Sequence, residues 1–163
     1  KTLSAVKFDD NILYQLDGTD VEDYFVSFIA AYIRNVLVDN SLKFTFETVM
    51  SHQSKLDEIR YAKVKGYKVY LYFVTLANPQ LNRLRVKTRV AQGGHDVAEN
   101  KIEERYYRTM DLLLDALKIA DKAYLFDNSF GEHKLIAQKD NAELTVLVDY
   151  VPEWFQSYIL DKL

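Results

Sequence analysis

Cysteine is absent from all 163 residues, which excludes disulfides and thiolate-held metal sites. Histidine occurs three times, at His52, His95 and His133, with no ligand spacing, so no metal site is expected from these residues. Only 5 glycines and 2 prolines punctuate the chain. That scarcity leaves no linker or low-complexity tract, and a single compact domain over 1–163 is the simplest expectation. No apolar run approaches the length of a membrane span and no signal peptide opens the chain, so no membrane role is expected and a cytoplasmic setting fits. Neither sign of charge dominates: the formal charge is -3 and the pI about 5.6. Such a balance creates no field for a polyanion and argues against general nucleic-acid binding. The first residue is Lys1 rather than methionine, so the natural start is expected upstream.

What the chain does have is a concentration of arginine. Five of its seven arginines fall between Arg83 and Arg108, in two helical runs separated by Gly93-Gly94-His95. On helices Arg85 and Arg89 are four residues apart and Arg105 and Arg108 three apart, so each pair shares a face and repels itself unless an anion or carboxylate intervenes. Guanidinium groups stay charged at any working pH and grip phosphate oxygens through paired hydrogen bonds. The arrangement therefore reads as a phosphate-closing lid. The same residues also read as a solvated helix laced with ion pairs, and Glu104 to Arg108 has the spacing for one.

Periodicity places the elements. A short strand is expected around Ile12 to Leu16. Thr19 and Glu22 form a capping box for a core-facing helix carrying Val21, Tyr24, Phe25, Phe28, Ile29, Tyr32, Ile33, Val36 and Leu37. A strand at Lys43 to Phe46 precedes a helix from Ser54 to Lys65 that stops at Gly66. The apolar run Tyr67 to Thr75 reads as a strand buried on both faces. Asn78 and Pro79 start a helix to about Val90, and a long helix spans about Ala98 to Ala120. Strands at Ala123 to Asp127, Lys134 to Ala137 and Leu144 to Val148 follow, then a helix from Pro152. The alternation predicts an α/β fold with a mostly parallel sheet and helices on both faces. In such sheets ligands bind beyond the carboxyl ends of the strands, where Glu47 to Ser51, Leu76 to Pro79 and Asp127 to Gly131 fall.

Taken together, FTFETVMS at 44–51, KGYKVYLYFVTLANPQ at 65–80, RVKTRVAQGGHDVAENKIEERYYRTMDLLLDAL at 85–117 and YLFDNS at 124–129 resemble the zeta-toxin-like P-loop kinases over about residues 20–135. The resemblance implies a P-loop kinase fold, ATP and Mg2+ as cofactors, a bacterial toxin-antitoxin setting with an antitoxin protein as partner, and transfer of the ATP γ-phosphate to a polar metabolite. The best-known members phosphorylate UDP-N-acetylglucosamine. Carried over by position, Glu47 contacts the acceptor; Thr48 and Ser51 can by their own chemistry donate hydrogen bonds beside it. Arg85, Arg89, Arg105 and Arg108 close over the ATP phosphates, Gly93 and Gly94 form the hinge, His95 orders the loop, and Asp127, Asn128 and Ser129 cradle adenine.

Three departures stand out. Ser51 replaces the arginine that grips the substrate diphosphate, which weakens the expectation of UDP-N-acetylglucosamine itself. Ala98 replaces the usual proline after GGHxV. Nowhere in the 163 residues is there a GxxxxGK[ST] phosphate loop, and only Asp9 and Asp10 are candidates for the catalytic aspartate upstream of the FET motif. An N-terminal segment carrying the phosphate loop is therefore expected to be missing from this chain. The alternative is a non-catalytic nucleotide- or partner-binding module that has lost that loop.

Overall fold

The structure is a computed structural model and describes residues 6–9, 12–15, 23–94 and 96–163. Asp10, His95 and the Thr19/Glu22 capping box lie outside the described residues. The chain divides into two compact units, Lys1–Phe46 and Glu47–Leu163.

In the first unit, β1 (Val6–Asp9) and β2 (Ile12–Gln15) pair antiparallel with Val6 opposite Gln15. Helix α1 (Asp23–Asp39) follows. It ends in a C-terminal cap in which Ser41 takes φ 56 while Leu42 N–H donates to the Leu37 carbonyl. The expected strand at Lys43 to Phe46 does not form. Strands need a ladder partner, and among the described residues none pairs with it. Instead Phe44 stacks on Phe46, and the Arg34 guanidinium lies 4.9 Å above the Phe46 ring. Much of the apolar face of α1 stays unburied: Phe28, Tyr32, Ile33 and Val36 are exposed, and among the described residues this unit has no second helix for them to pack against.

The second unit opens with α2 (Gln53–Val64), capped by His52, whose Nδ1 accepts from Ser54 N–H at 3.2 Å. Gly66 at φ 86 closes it as expected, with Tyr67 N–H donating to the Ala62 carbonyl. Strand β3 (Tyr70–Thr75) leads to α3 (Pro79–Ala91), where the Asn78 side chain accepts from Leu81 N–H at 3.0 Å. Helix α4 (Glu99–Ile119), β4 (Lys122–Asp127), β5 (Lys134–Asp140), β6 (Glu143–Val146) and α5 (Glu153–Tyr158) complete it.

The sheet runs β3-β4-β5-β6. Only β3 and β4 are parallel; β4/β5 and β5/β6 are antiparallel. The expected mostly parallel sheet is thus a mixed one. The physical reason lies in the connections, since Asn128 to His133 and Asn141-Ala142 are too short for a crossover helix and can only make hairpins. Asn141 tolerates the left-handed φ of 53 that the second turn needs.

One face of this sheet carries the core. Phe73, Ala123, Leu125, Ile136 and Ala137 pack with Leu56 of α2, the Tyr106, Met110, Leu113 and Leu117 stripe of α4, and Trp154, Phe155 and Ile159. The opposite face of β3 is open in this unit, with Tyr70, Tyr72 and Val74 at 52%, 66% and 48% exposure. The run Tyr67 to Thr75 is therefore not a strand buried on both faces. Its apolar character comes partly from tyrosines, one of which stacks across the sheet on Tyr124 at 5.1 Å.

Candidate functional site

Three loops expected to carry chemistry lie at one end of the sheet, and α4 ties two of them together. Tyr106 is buried, and its hydroxyl shares one proton between the carbonyls of Leu76 and Ala77, both at 3.2 Å. Burial raises the tyrosine pKa above its ordinary value, so the group remains a donor. One turn on, Thr109 Oγ1 donates to the Val49 carbonyl at 2.7 Å. Met110 meets the Thr75 hydroxyl through its sulfur at 4.0 Å. The helical period marks Tyr106 and Met110 only as core residues and gives no sign of the hydrogen bonds that Tyr106 and Thr109 make.

The loop after β4 is held just as closely. Asn128 N–H extends the ladder to the Thr75 carbonyl at 2.9 Å, and the Ser129 hydroxyl accepts from Ala77 N–H at 2.7 Å. Asp127 is 7% exposed. One carboxylate oxygen accepts from Ser129 N–H at 2.7 Å and the other from the Trp154 indole at 2.7 Å. Asp127 is thus a buried turn-former in this arrangement. Trp154 escaped the sequence reading; the available signal was that a lone buried tryptophan requires an acceptor.

Glu47 and Thr48 are exposed, Ser51 is half-buried, and Met50 turns inward at 4% exposure with φ 56. The Thr48 hydroxyl accepts from Met50 N–H at 3.1 Å, which leaves its own proton available to a ligand.

Helices α3 and α4 form an antiparallel pair around the glycine turn. Gly93 takes φ 87, and Gly94 N–H donates to the Arg89 carbonyl at 2.9 Å. A β-carbon on Gly94 would sit 2.5 Å from Arg89 Cγ, so glycine is required by close approach. Ion pairs staple the helices: Arg83 with Glu103, and Lys87 with Glu99 at 2.7 Å. The Lys87 hydrogen bond holds the Glu99 carboxyl below its ordinary range. Between the helices lies an open groove of about 420 Å³ bordered by Arg83, Lys87, Asp96, Glu99 and Ile102.

The four lid arginines are not gathered at one point. Arg85 Nη2 donates to the Asn128 carbonyl at 2.5 Å and so touches the loop after β4. Arg108 pairs with Glu104 at 2.5 Å, the ion pair that the spacing allowed. Arg89 lies against Gly94, and Arg105 is exposed on α4.

For a nucleotide, the fit is partial. Asn128 Oδ1 is buried without a partner, which suits an amino donor such as that of adenine, and exposed guanidinium groups suit phosphate. No phosphate loop occurs in the 163 residues. Among the described residues no group of three His, Cys, Asp or Glu side chains could hold a metal ion. Among them, too, no helix is long and apolar enough to cross a membrane.

Comparison with known proteins agrees with the motif order. A protein of Haemophilus influenzae described as uncharacterized is 30% identical over 69 residues, covering 42% of this chain and 49% of that protein. The chain thus spans about half the length of that curated relative. No solved structure matches. The family model "Zeta toxin" matches residues 13–141, and the chain belongs to the zeta toxin family.

Proposed function

We propose that this chain is the acceptor-and-lid portion of an ATP-dependent small-molecule kinase, which transfers the ATP γ-phosphate to a hydroxyl of a sugar nucleotide or similar polar metabolite. Family membership supports kinase-like chemistry on a nucleotide. The observation that carries the finer reading is the α3/α4 hairpin, whose Arg85, on the helix before the glycine turn, donates to the Asn128 carbonyl. Phosphoryl transfer depends on positioned cations more than on covalent help. Arg85, Arg89, Arg105 and Arg108 supply that charge. Asp127 shapes the base-side loop, where Asn128 and Ser129 face the nucleotide.

Glu47, Thr48 and Ser51 bind the acceptor, the carboxylate accepting from its hydroxyls. A serine at position 51 favours an acceptor whose anionic group needs less charge there than a diphosphate does. A bacterial cytoplasm and a protein antitoxin belong to the same proposal.

The test is calorimetry of ATP with Mg2+ on the full-length protein. Binding is expected, with Glu47→Gln leaving it intact while abolishing transfer to the acceptor. No binding at millimolar ATP would instead leave the module that has lost its phosphate loop. Equal loss of ATP binding and transfer in Glu47→Gln would make Glu47 structural.

A further inference from the structure

The acceptor loop and two of the lid arginines are connected through one helix, an arrangement that neither the motifs nor the family assignment describes. Thr109 stands four residues after Arg105 and next to Arg108 on α4, and its hydroxyl donates to the Val49 carbonyl at 2.7 Å. The loop it grips is not relaxed. Met50 holds φ 56 with its side chain 4% exposed, a backbone region that an unbranched L-residue occupies only when its surroundings impose it.

Three contacts impose it. Met50 packs into the core, its N–H is held by Thr48 Oγ1 at 3.1 Å, and the preceding carbonyl is held by Thr109. Glu47 and Thr48 remain exposed on the outer side of this turn.

We infer that Thr109 is a positioning residue that fixes the Glu47–Ser51 acceptor loop to the helix bearing Arg105 and Arg108, so that acceptor and lid charges move as one body. This rests on the acceptor role proposed for Glu47. Two reacting groups held by a shared rigid element keep their spacing when that element moves, whereas groups on independent loops do not. The same helix, through Tyr106, also holds the carbonyls of Leu76 and Ala77. Tilting α4 at the glycine turn would therefore displace the acceptor loop along with the arginines.

The experiment compares full-length wild type with Thr109→Val, which removes the hydroxyl at nearly constant shape, and Thr109→Ser, which keeps it. Amide hydrogen exchange at residues 49–51 should quicken about fivefold to tenfold in T109V, as loss of one hydrogen bond implies, with β4 and β5 unchanged. T109S should restore it. With ATP and UDP-N-acetylglucosamine as probe acceptor, T109V should raise the acceptor KM and lower kcat without altering ATP affinity, again rescued by T109S.

Unchanged exchange in T109V, failure of the serine rescue, or loosened exchange with unaltered acceptor kinetics would each overturn the inference. If wild type transfers nothing to the probe, the function proposed above fails for that acceptor, while exchange and rescue still decide the anchor.

Discussion

Arg108 and Asp127 show how differently two charged residues of the candidate set contribute. The Arg108 to Glu104 pair is more than half exposed on both sides, and such pairs contribute about 0–1 kcal/mol. Arg108→Ala should therefore leave the melting temperature almost unchanged while lowering transfer, by roughly 10³-fold if it acts on charge in the transition state. A sharp drop in melting with an unchanged rate per folded molecule would make it a structural ion-pair partner. Asp127 is the reverse case. Asp127→Ala removes the acceptor for the buried Trp154 indole and for Ser129 N–H, which should cost about 2–4 kcal/mol in urea unfolding. A loss below about 0.5 kcal/mol would refute that network. The sequence offers Glu47, the arginines and the Asp-Asn-Ser turn as the residue types of the candidate site. The partners that define their roles were not legible there, because Trp154 lies 27 residues from Asp127 and Thr109 lies 60 from Val49.

At the level of elements, helix ends were read well because the signals are local: Gly66, Asn78-Pro79 and Gly93 act on neighbouring backbone groups. The two glycines of the lid turn nevertheless do different things. Gly93 needs its positive φ but has open space where a β-carbon would go; Gly94 is hemmed in by Arg89 Cγ and by the Arg89 carbonyl at 2.9 Å. Gly93→Ala should weaken the turn by about 1 kcal/mol. Gly94→Ala should weaken it more, since backbone must shift. Hydrogen exchange across residues 89–94 checks the order, which would be reversed if conformation mattered more than contact. The strand at Lys43 to Phe46 failed for the opposite reason to the helix ends: pairing is non-local, and instead Phe44 stacks on Phe46, which Arg34 covers.

Across the second unit, stability should respond to acid through Asp121. Its carboxylate accepts from Lys63 at 2.5 Å and from Val69 N–H at 2.7 Å, joining the end of α2 and the approach to β3 to the start of β4. The Lys63 hydrogen bond, then that of Val69, lowers its pKa from the ordinary 3.8. A folded-state value below the unfolded one means that the stabilisation is complete above the unfolded value and is lost as pH falls through the folded one. Unfolding free energy should thus decline below about pH 4, and Asp121→Asn should flatten that decline. An identical acid profile in wild type and variant would exclude Asp121 as its source.

By itself the sequence determined the order of helices and strands in residues 47–163, the glycine and asparagine caps, the clustering of arginines between Arg83 and Arg108, and the family's motif spacing. Each of these is written in a few adjacent residues or in a period of 3.6 or 2. Only the tertiary structure decided that the sheet is mixed, that one face of β3 stands open, that Asp127 is a buried keystone, and that α4 holds the Val49 carbonyl through Thr109. These depend on which distant groups meet, and a hydrogen bond between Thr109 and Val49 leaves no trace in the composition or periodicity of either segment.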